Sequence, residues 1–333
     1  MTARKEPAQT VSFIDQYCSF YQDLFAADVR SYQYFKHLHL GLIAELPRKS
    51  LPALARAVGL EDGQELPHFL ANSPWQAAHV KQRRLDLLKQ RLRGREILLC
   101  IDETGDKKKG NTTDYVSRQY IGNLGKIENG IVSIIAYGVI DGMTFPLLFK
   151  VFKPKGRLKD GDKYRTKPEL AVEIIEELQA LGFKFSVVLA DITTDKDRLP
   201  EESTWLVMTN LEGNIKKRVG NVYGLRTWIE YGFKQIKNEL GWADYRLTEY
   251  TAIERWWKVV SSAYMMVSLQ SEVLKEGRSK AAWQEDARKA SGVEVKRFQE
   301  HKWWDEKKGW KNLLNNLRLI IQPYIFLPDQ SVA

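Results

Sequence analysis

Three carboxylates stand where chemistry would need them. Asp102 follows the apolar run "ILLCI", and Asp191 follows "SVVLA". Acids at the carboxyl ends of buried strands sit where ligand sites of open α/β sheets form. Glu230 lies further on, in "YGLRTWIEYGFKQIKNELG", which reads as a helix from Tyr223 to Gly241. Such a trio offers only hard oxygen donors, suited to Mg²⁺ or Mn²⁺. Two such ions can activate an attacking oxygen and stabilise a leaving oxygen on phosphate. Each acid alone reads at least as well as a turn or cap residue.

The helix adds a second signal. At about 100° per residue, Tyr223, Arg226, Glu230 and Lys237 share a stripe about 60° wide, with Lys234 at its edge and Trp228 opposite. One acid for metal among several cations for phosphate is one reading of that face. A solvated face with the pairs Arg226–Glu230 and Glu230–Lys234 is the other, and helix geometry does not choose. Lys107, Lys108 and Lys109 follow Asp102 and could grip DNA beside it. Arg118 and Gln119, in an expected loop, could touch phosphate or pair with ordinary neighbours. The basic stretch Lys153–Arg165 also holds Asp160 and Asp162 and is given no role.

Elements must carry these residues into place. Residues 11–93 show helical spacing in "IDQYCSFYQDLF", "YQYFKHLHLGLIAEL" and "VKQRRLDLLKQRL". Between them, Ser50 is a plausible N-cap and Gly59 a stop. The short helices around Gly59 fit a helix-turn-helix unit or a plain bundle equally. Residues 95–191 read as strand, strand, strand, helix, strand: "REILLCI", "GIVSIIAYGVI", "TFPLLFKVF", "TKPELAVEIIEELQALG" and "FKFSVVLAD". Asp141-Gly142 signals a hairpin turn. Thr166 and Glu169 form a capping-box pattern, and Gly182 ends that helix. "DYVSRQYIGN" reads mostly as loop. "TAIERWWKVVSSAYMMVSLQSEVL" is an apolar helix expected to pack on the sheet, and "GWKNLLNNLRLIIQPY" is a closing helix. The boundaries expected are 1–94, 95–272 and 273–333.

Composition narrows the partners. The 333 residues carry a formal charge of +9 and a pI near 9.3, which favours a polyanion such as nucleic acid. Cys18 and Cys100 lie in separate apolar segments, so no disulfide framework is expected and a reducing cytoplasm fits. No run is long enough to span a bilayer. His37, His39, His68, His79 and His301 show no metal-ligand spacing. No P-loop or dinucleotide fingerprint appears, so ATP dependence is not supported. Trp256, Trp257, Trp303, Trp304 and Trp310 could stack on bases, but their spacing favours core packing.

The pattern Tyr223-x2-Arg226-x3-Glu230-x6-Lys237 resembles the Y-R-E-K signature of DDE transposases from bacterial insertion sequences. So do "IDETGDKKKG", "SRQYIGNLGK", "TKPELAVEII", "WWDEKKGWKNLLNNLRLIIQPY" and "HFLANSPW", which spread the likeness over nearly the whole chain. The resemblance implies an α/β, ribonuclease-H-like mixed sheet flanked by helices, with an all-α N-terminal domain for DNA-end recognition. It implies Asp102, Asp191 and Glu230 as the catalytic, metal-binding triad for two Mg²⁺ or Mn²⁺ ions. It assigns Tyr223, Arg226 and Lys237 to double-stranded DNA at transposon ends, with Lys234, Arg118 and Lys107 as further candidate contacts. The expected reaction is hydrolytic nicking at terminal inverted repeats, then attack of the 3′-hydroxyl on target DNA. It needs no covalent protein–DNA intermediate, and a homodimer would join two ends, acting at the bacterial nucleoid. One departure stands out. Relatives carry a sizeable β insertion between the second Asp and the Glu, whereas only residues 192–229 separate them here, with the insertion shortened near 192–210. A compact active enzyme and a catalytically impaired, internally deleted relative that binds transposon ends both follow. A ribonuclease-H-like nuclease acting on junctions or hybrids is a third reading.

Overall fold

The computed structural model describes residues 10–191, 227–271, 302 and 309–325. They fall into two compact units. One comprises the chain up to Arg91 with Gln235–Leu247 and everything from Thr251. The other comprises Leu92–Lys234 with Thr248–Tyr250.

The first unit is helical. It holds α1 (Ser12–Ser19), α2 (Val29–Ile43), α3 (Leu51–Ala57), α4 (Glu65–Ala71) and most of α5 (Ala77–Leu92). Asp28 caps α2 by accepting the Arg30 amide, which satisfies one of the amides that a helix start leaves open. Ser50 has the extended backbone of an N-cap but makes no side-chain cap bond. The apolar helix Tyr250–Ser268 belongs here from Thr251 on, and not with the sheet as its apolar sequence suggests. Its apolar residues all but encircle it, so periodicity could not say which neighbour would cover it. Tyr17 and His39 meet it at Ser262. Arg255 donates to the carbonyls of Leu70 and Trp75, tying the helix to the end of α4. The tryptophans pack in the core. Trp257 stacks on Trp242 with ring centroids 4.7 Å apart, and Trp310, which opens the last helix (Trp310–Ile321), stacks on Tyr264. Trp303 and Trp304 lie outside the described residues.

The second unit is a five-stranded mixed sheet flanked by helices, as the expected fold class requires. Its strands are β1 (Ile97–Lys107), β2 (Ser117–Ile121), β3 (Lys126–Ile140), β4 (Met143–Val151) and β5 (Phe185–Asp191). β3 is the hub. One edge carries β1 antiparallel, and the other carries β2 at its start and β4 along the rest. β5 lies beyond β1 and parallel to it. The β3–β4 turn has Asp141 at φ 47° and Gly142 at φ 76°, the pair of left-handed residues a two-residue hairpin demands. The helix Lys167–Ala180, α6, starts at the expected capping box, with the Thr166 amide donating to Glu169 at 2.7 Å.

Two readings are corrected. Ser117–Ile121, read as loop, is a strand. Its alternation is weak, but Ile121 is fully buried and occupies the space that Gly105 and Gly130 leave open, a packing reason that local periodicity does not carry. Asp102 does not follow β1 but lies within it, since pairing with β3 continues to Lys107.

Candidate active site

Asp102 is half-buried, and its Oδ1 accepts the amide of Glu103 at 2.7 Å. Across the parallel β1–β5 pair it stands in register with Asp191, the last residue of β5. Neighbouring strands lie about 4.8 Å apart, so the fold sets the two acidic positions side by side. Side chains alternate along a strand, which sorts the surroundings by face. Cys100 and Asp102 share one face with Tyr137, the β3 partner of Cys100. Burial first, then the Asp102 charge, pushes the Cys100 thiol up to about 12, so it stays protonated and inert. Glu103 faces the other side, where Lys167 at the start of α6 holds it at 2.7 Å.

The helix Thr227–Lys234, here α7, carries Glu230 and packs over β1, β3 and β4. It covers the Asp102 face, because Gly232 rests on Tyr137: the Tyr137 hydroxyl donates to the Gly232 carbonyl at 3.2 Å. A Cβ on Gly232 would lie 2.8 Å from the Tyr137 ring, so only glycine lets the helix come this close. Sequence reasoning passed over this residue. A glycine in a helix interior was the available signal, since it costs about 0.5–1 kcal/mol against alanine unless close approach repays it. Gly232→Ala is therefore expected to destabilise the fold by about 1–2 kcal/mol despite its better helix propensity. Urea denaturation measures it, and a variant as stable as wild type would show that α7 does not need this contact.

Glu230 is exposed on α7. After Lys234 the helix widens into a π turn, Gln235–Glu239. Its i→i+5 bonding departs from the 100° step of a regular α-helix. The two compact units also divide between Lys234 and Gln235. Lys234 is exposed, with Nζ 6.0 Å from the Tyr231 ring centre, and Lys237 is half-buried. Tyr223 and Arg226 lie outside the described residues.

The remaining candidates are not brought to Asp102. Lys107 is five residues further along β1, roughly 17 Å away, and pairs with Glu128 at 3.0 Å. Arg118 is exposed on β2 opposite Asn129, six β3 residues from the partner of Asp102, or about 20 Å along the strand. Gln119 donates to the Gly130 carbonyl.

Among the described residues, no three His, Cys, Asp or Glu side chains gather as a metal cage. The donor chemistry nonetheless fits a divalent ion: Asp positions paired across β1 and β5, with a Glu-bearing helix on the same face. No helix among the described residues is long and apolar enough to cross a membrane.

A sequence model of the DDE superfamily endonucleases matches residues 19–194. A probable transposase for insertion sequence element IS701 from Microchaete diplosiphon is 45% identical over 330 residues, covering 76% of this chain and 87% of the relative. DDE superfamily nucleases use divalent metal ions, in keeping with the carboxylate chemistry of β1 and β5. Matched over more than half its length by that family and this closely by that relative, the chain belongs to the DDE transposases of insertion sequences.

Proposed function

We propose that the chain binds the ends of its own insertion sequence, cuts a strand there by metal-dependent hydrolysis, and joins the 3′-hydroxyl to target DNA. The register pairing of Asp102 with Asp191 carries this reading, and α7 on the same face supports Glu230 as the third ligand. Asp102, Asp191 and Glu230 would hold two Mg²⁺ or Mn²⁺ ions, which when bound polarise phosphate and activate the attacking oxygen. Tyr223, Arg226 and Lys237, the Y-R-E-K partners of Glu230, would fasten phosphates of the transposon end beside it, and Lys234 would add a cation from the same helix. With water and then a DNA hydroxyl attacking in turn, no protein nucleophile is needed. The helical unit would serve end recognition and the sheet unit catalysis. Two copies would join two ends.

A second reading has its own support. The family match stops at residue 194, three residues past Asp191. The 76% of this chain that aligns with the relative is about 253 residues, set against 330 aligned positions, so roughly 77 of those positions have no counterpart here. An internal deletion in the short interval between Asp191 and Glu230 would account for them. A protein so shortened would occupy transposon ends without cutting them.

Calorimetric titration of Mn²⁺ into wild type, Asp102→Ala and Asp191→Ala separates the two. Loss of binding in both variants supports the active enzyme. Loss in Asp102→Ala alone means that Asp191 is misplaced and the enzyme impaired. A wild type that binds no metal, even with duplex DNA present, leaves only the end-binding reading.

A further inference from the structure

β1 and β4 are both antiparallel to β3, and β5 is parallel to β1, so β1, β4 and β5 all end on one side of the sheet. The loops after β1 (108–116) and β4 (152–166) leave from that side, the first beginning six residues past Asp102. They hold eight basic residues against three acidic ones, a net of five charges where the whole chain has nine. Sequence alone assigned the second loop nothing, because its own acids seemed to cancel it.

The structure engages one acid of each loop, while Asp160 stays exposed. Asp162 is taken by Lys153, and Asp114 by Lys159 at 2.6 Å. Arg157 donates to the carbonyls of Asn111 at 2.7 Å and Thr113 at 3.0 Å, and so laces the two loops together. Asp114 also accepts the Tyr250 amide, and Lys153 lies over the Tyr115 ring at 4.8 Å. The result is a braced double loop. Lys109, Lys155 and Lys163 are exposed on it, and the first two stand at its glycine-bearing tips. Lys109 makes no ion pair among the described residues, and Lys155 rests on the Tyr164 ring at 4.8 Å.

Lys109 and Lys155 each precede a glycine, and the glycines are unusual. A Cβ at Gly110 or Gly156 would meet nothing within 4 Å, and neither residue has a left-handed φ. Among the described glycines only these two combine both features. Neither torsion nor crowding inside the chain calls for glycine at these positions. Glycine is also used where another molecule's backbone must come close.

We infer that the two Lys-Gly tips, Lys109-Gly110 and Lys155-Gly156, form a preorganised grip for the sugar–phosphate backbone of duplex DNA running past the strand ends. The lysines would each neutralise a phosphate and the bare glycines would let the backbone lie against the loops. This rests on the proposed DNA-processing role, and extends it to residues outside the catalytic trio and the Y-R-E-K helix.

The test is binding of a fluorescein-labelled random-sequence duplex by the full chain across a salt series. Lys109→Ala with Lys155→Ala is expected to lower the slope of log K against log salt by about 1.8, near 0.9 per phosphate contact. Gly110→Ala with Gly156→Ala is expected to weaken binding roughly tenfold, the cost of an overpacked methyl, with an unchanged melting temperature. The second pair separates a grip from mere surface charge, since it alters no charge. A wild-type slope in the lysine pair, or wild-type affinity in the glycine pair, would overturn the grip and leave the transposase reading intact. A wild type that binds no duplex would overturn both.

Discussion

Asp102→Asn is expected to lower Mn²⁺-dependent nicking of supercoiled plasmid by at least about a thousandfold, with no loss of melting temperature. Asp102 and Asp191 occupy paired positions on adjacent strands. Asparagine keeps the side-chain shape at that position while removing a charged metal ligand. Glu103 supplies the contrast. It is the next residue in the chain, but alternation turns it to the other face and onto Lys167. Glu103→Gln breaks that largely buried pair and is expected to cost stability while keeping activity within about tenfold of wild type. Equal activity in Asp102→Asn and wild type would remove Asp102 from the mechanism. Equal loss in both variants would trace the effect to damage of β1 in general.

The helical unit is expected to lose up to about 3 kcal/mol as pH falls from about 6.5 to 4, with His39 responsible. His39 is fully buried between α2 and the helix Tyr250–Ser268. Its Nδ1 lies 2.7 Å from the Phe35 carbonyl, which can only accept, so Nδ1 carries the proton. Nε2 then accepts from Ser262 at 2.9 Å, Ser262 accepts from Tyr17, and Tyr17 from Tyr21. With the ring neutral every link is satisfied. Burial holds its pKa down to about 4, against an ordinary value near 6.5. The unfolded chain therefore takes up a proton at a pH where the folded chain refuses it, and stability drains away between the two values as pH falls. His37, lowered too by burial, adds to the slope in the same window. Urea midpoints followed by tryptophan fluorescence at a series of pH values measure the effect. His39→Gln should flatten the slope and His37→Gln should flatten it less. A slope unchanged in His39→Gln would count against the buried neutral ring.

Much of this was open to reading without coordinates. Apolar runs marked four of the five strands, because strands buried on both faces must be continuously hydrophobic. Asp141-Gly142, Thr166, Glu169 and Gly182 marked a turn and both ends of α6 through local chemistry alone. The acids at the ends of "ILLCI" and "SVVLA", and the spacing from Tyr223 to Lys237, pointed to a metal-dependent phosphate chemistry and to the family.

What lay outside the sequence depended on partners distant along the chain. β2 is a strand because Ile121 fits against Gly105 and Gly130. The helix Tyr250–Ser268 lies with the helical unit because Tyr17 and His39 meet it there, and an all-round apolar helix does not declare its partner. The π turn Gln235–Glu239 departs from the uniform helical step that the residue spacing suggests. The Lys153–Arg165 loop balances acids against bases in sequence, yet Asp162 braces Lys153 and the loop is tied to residues 108–116 through Lys159–Asp114, with Lys109 and Lys155 exposed. Residue types and spacing determined which chemistry was available. Tertiary packing decided which side chains share a face, because strand register and helix seating are set by contacts between segments far apart in the chain.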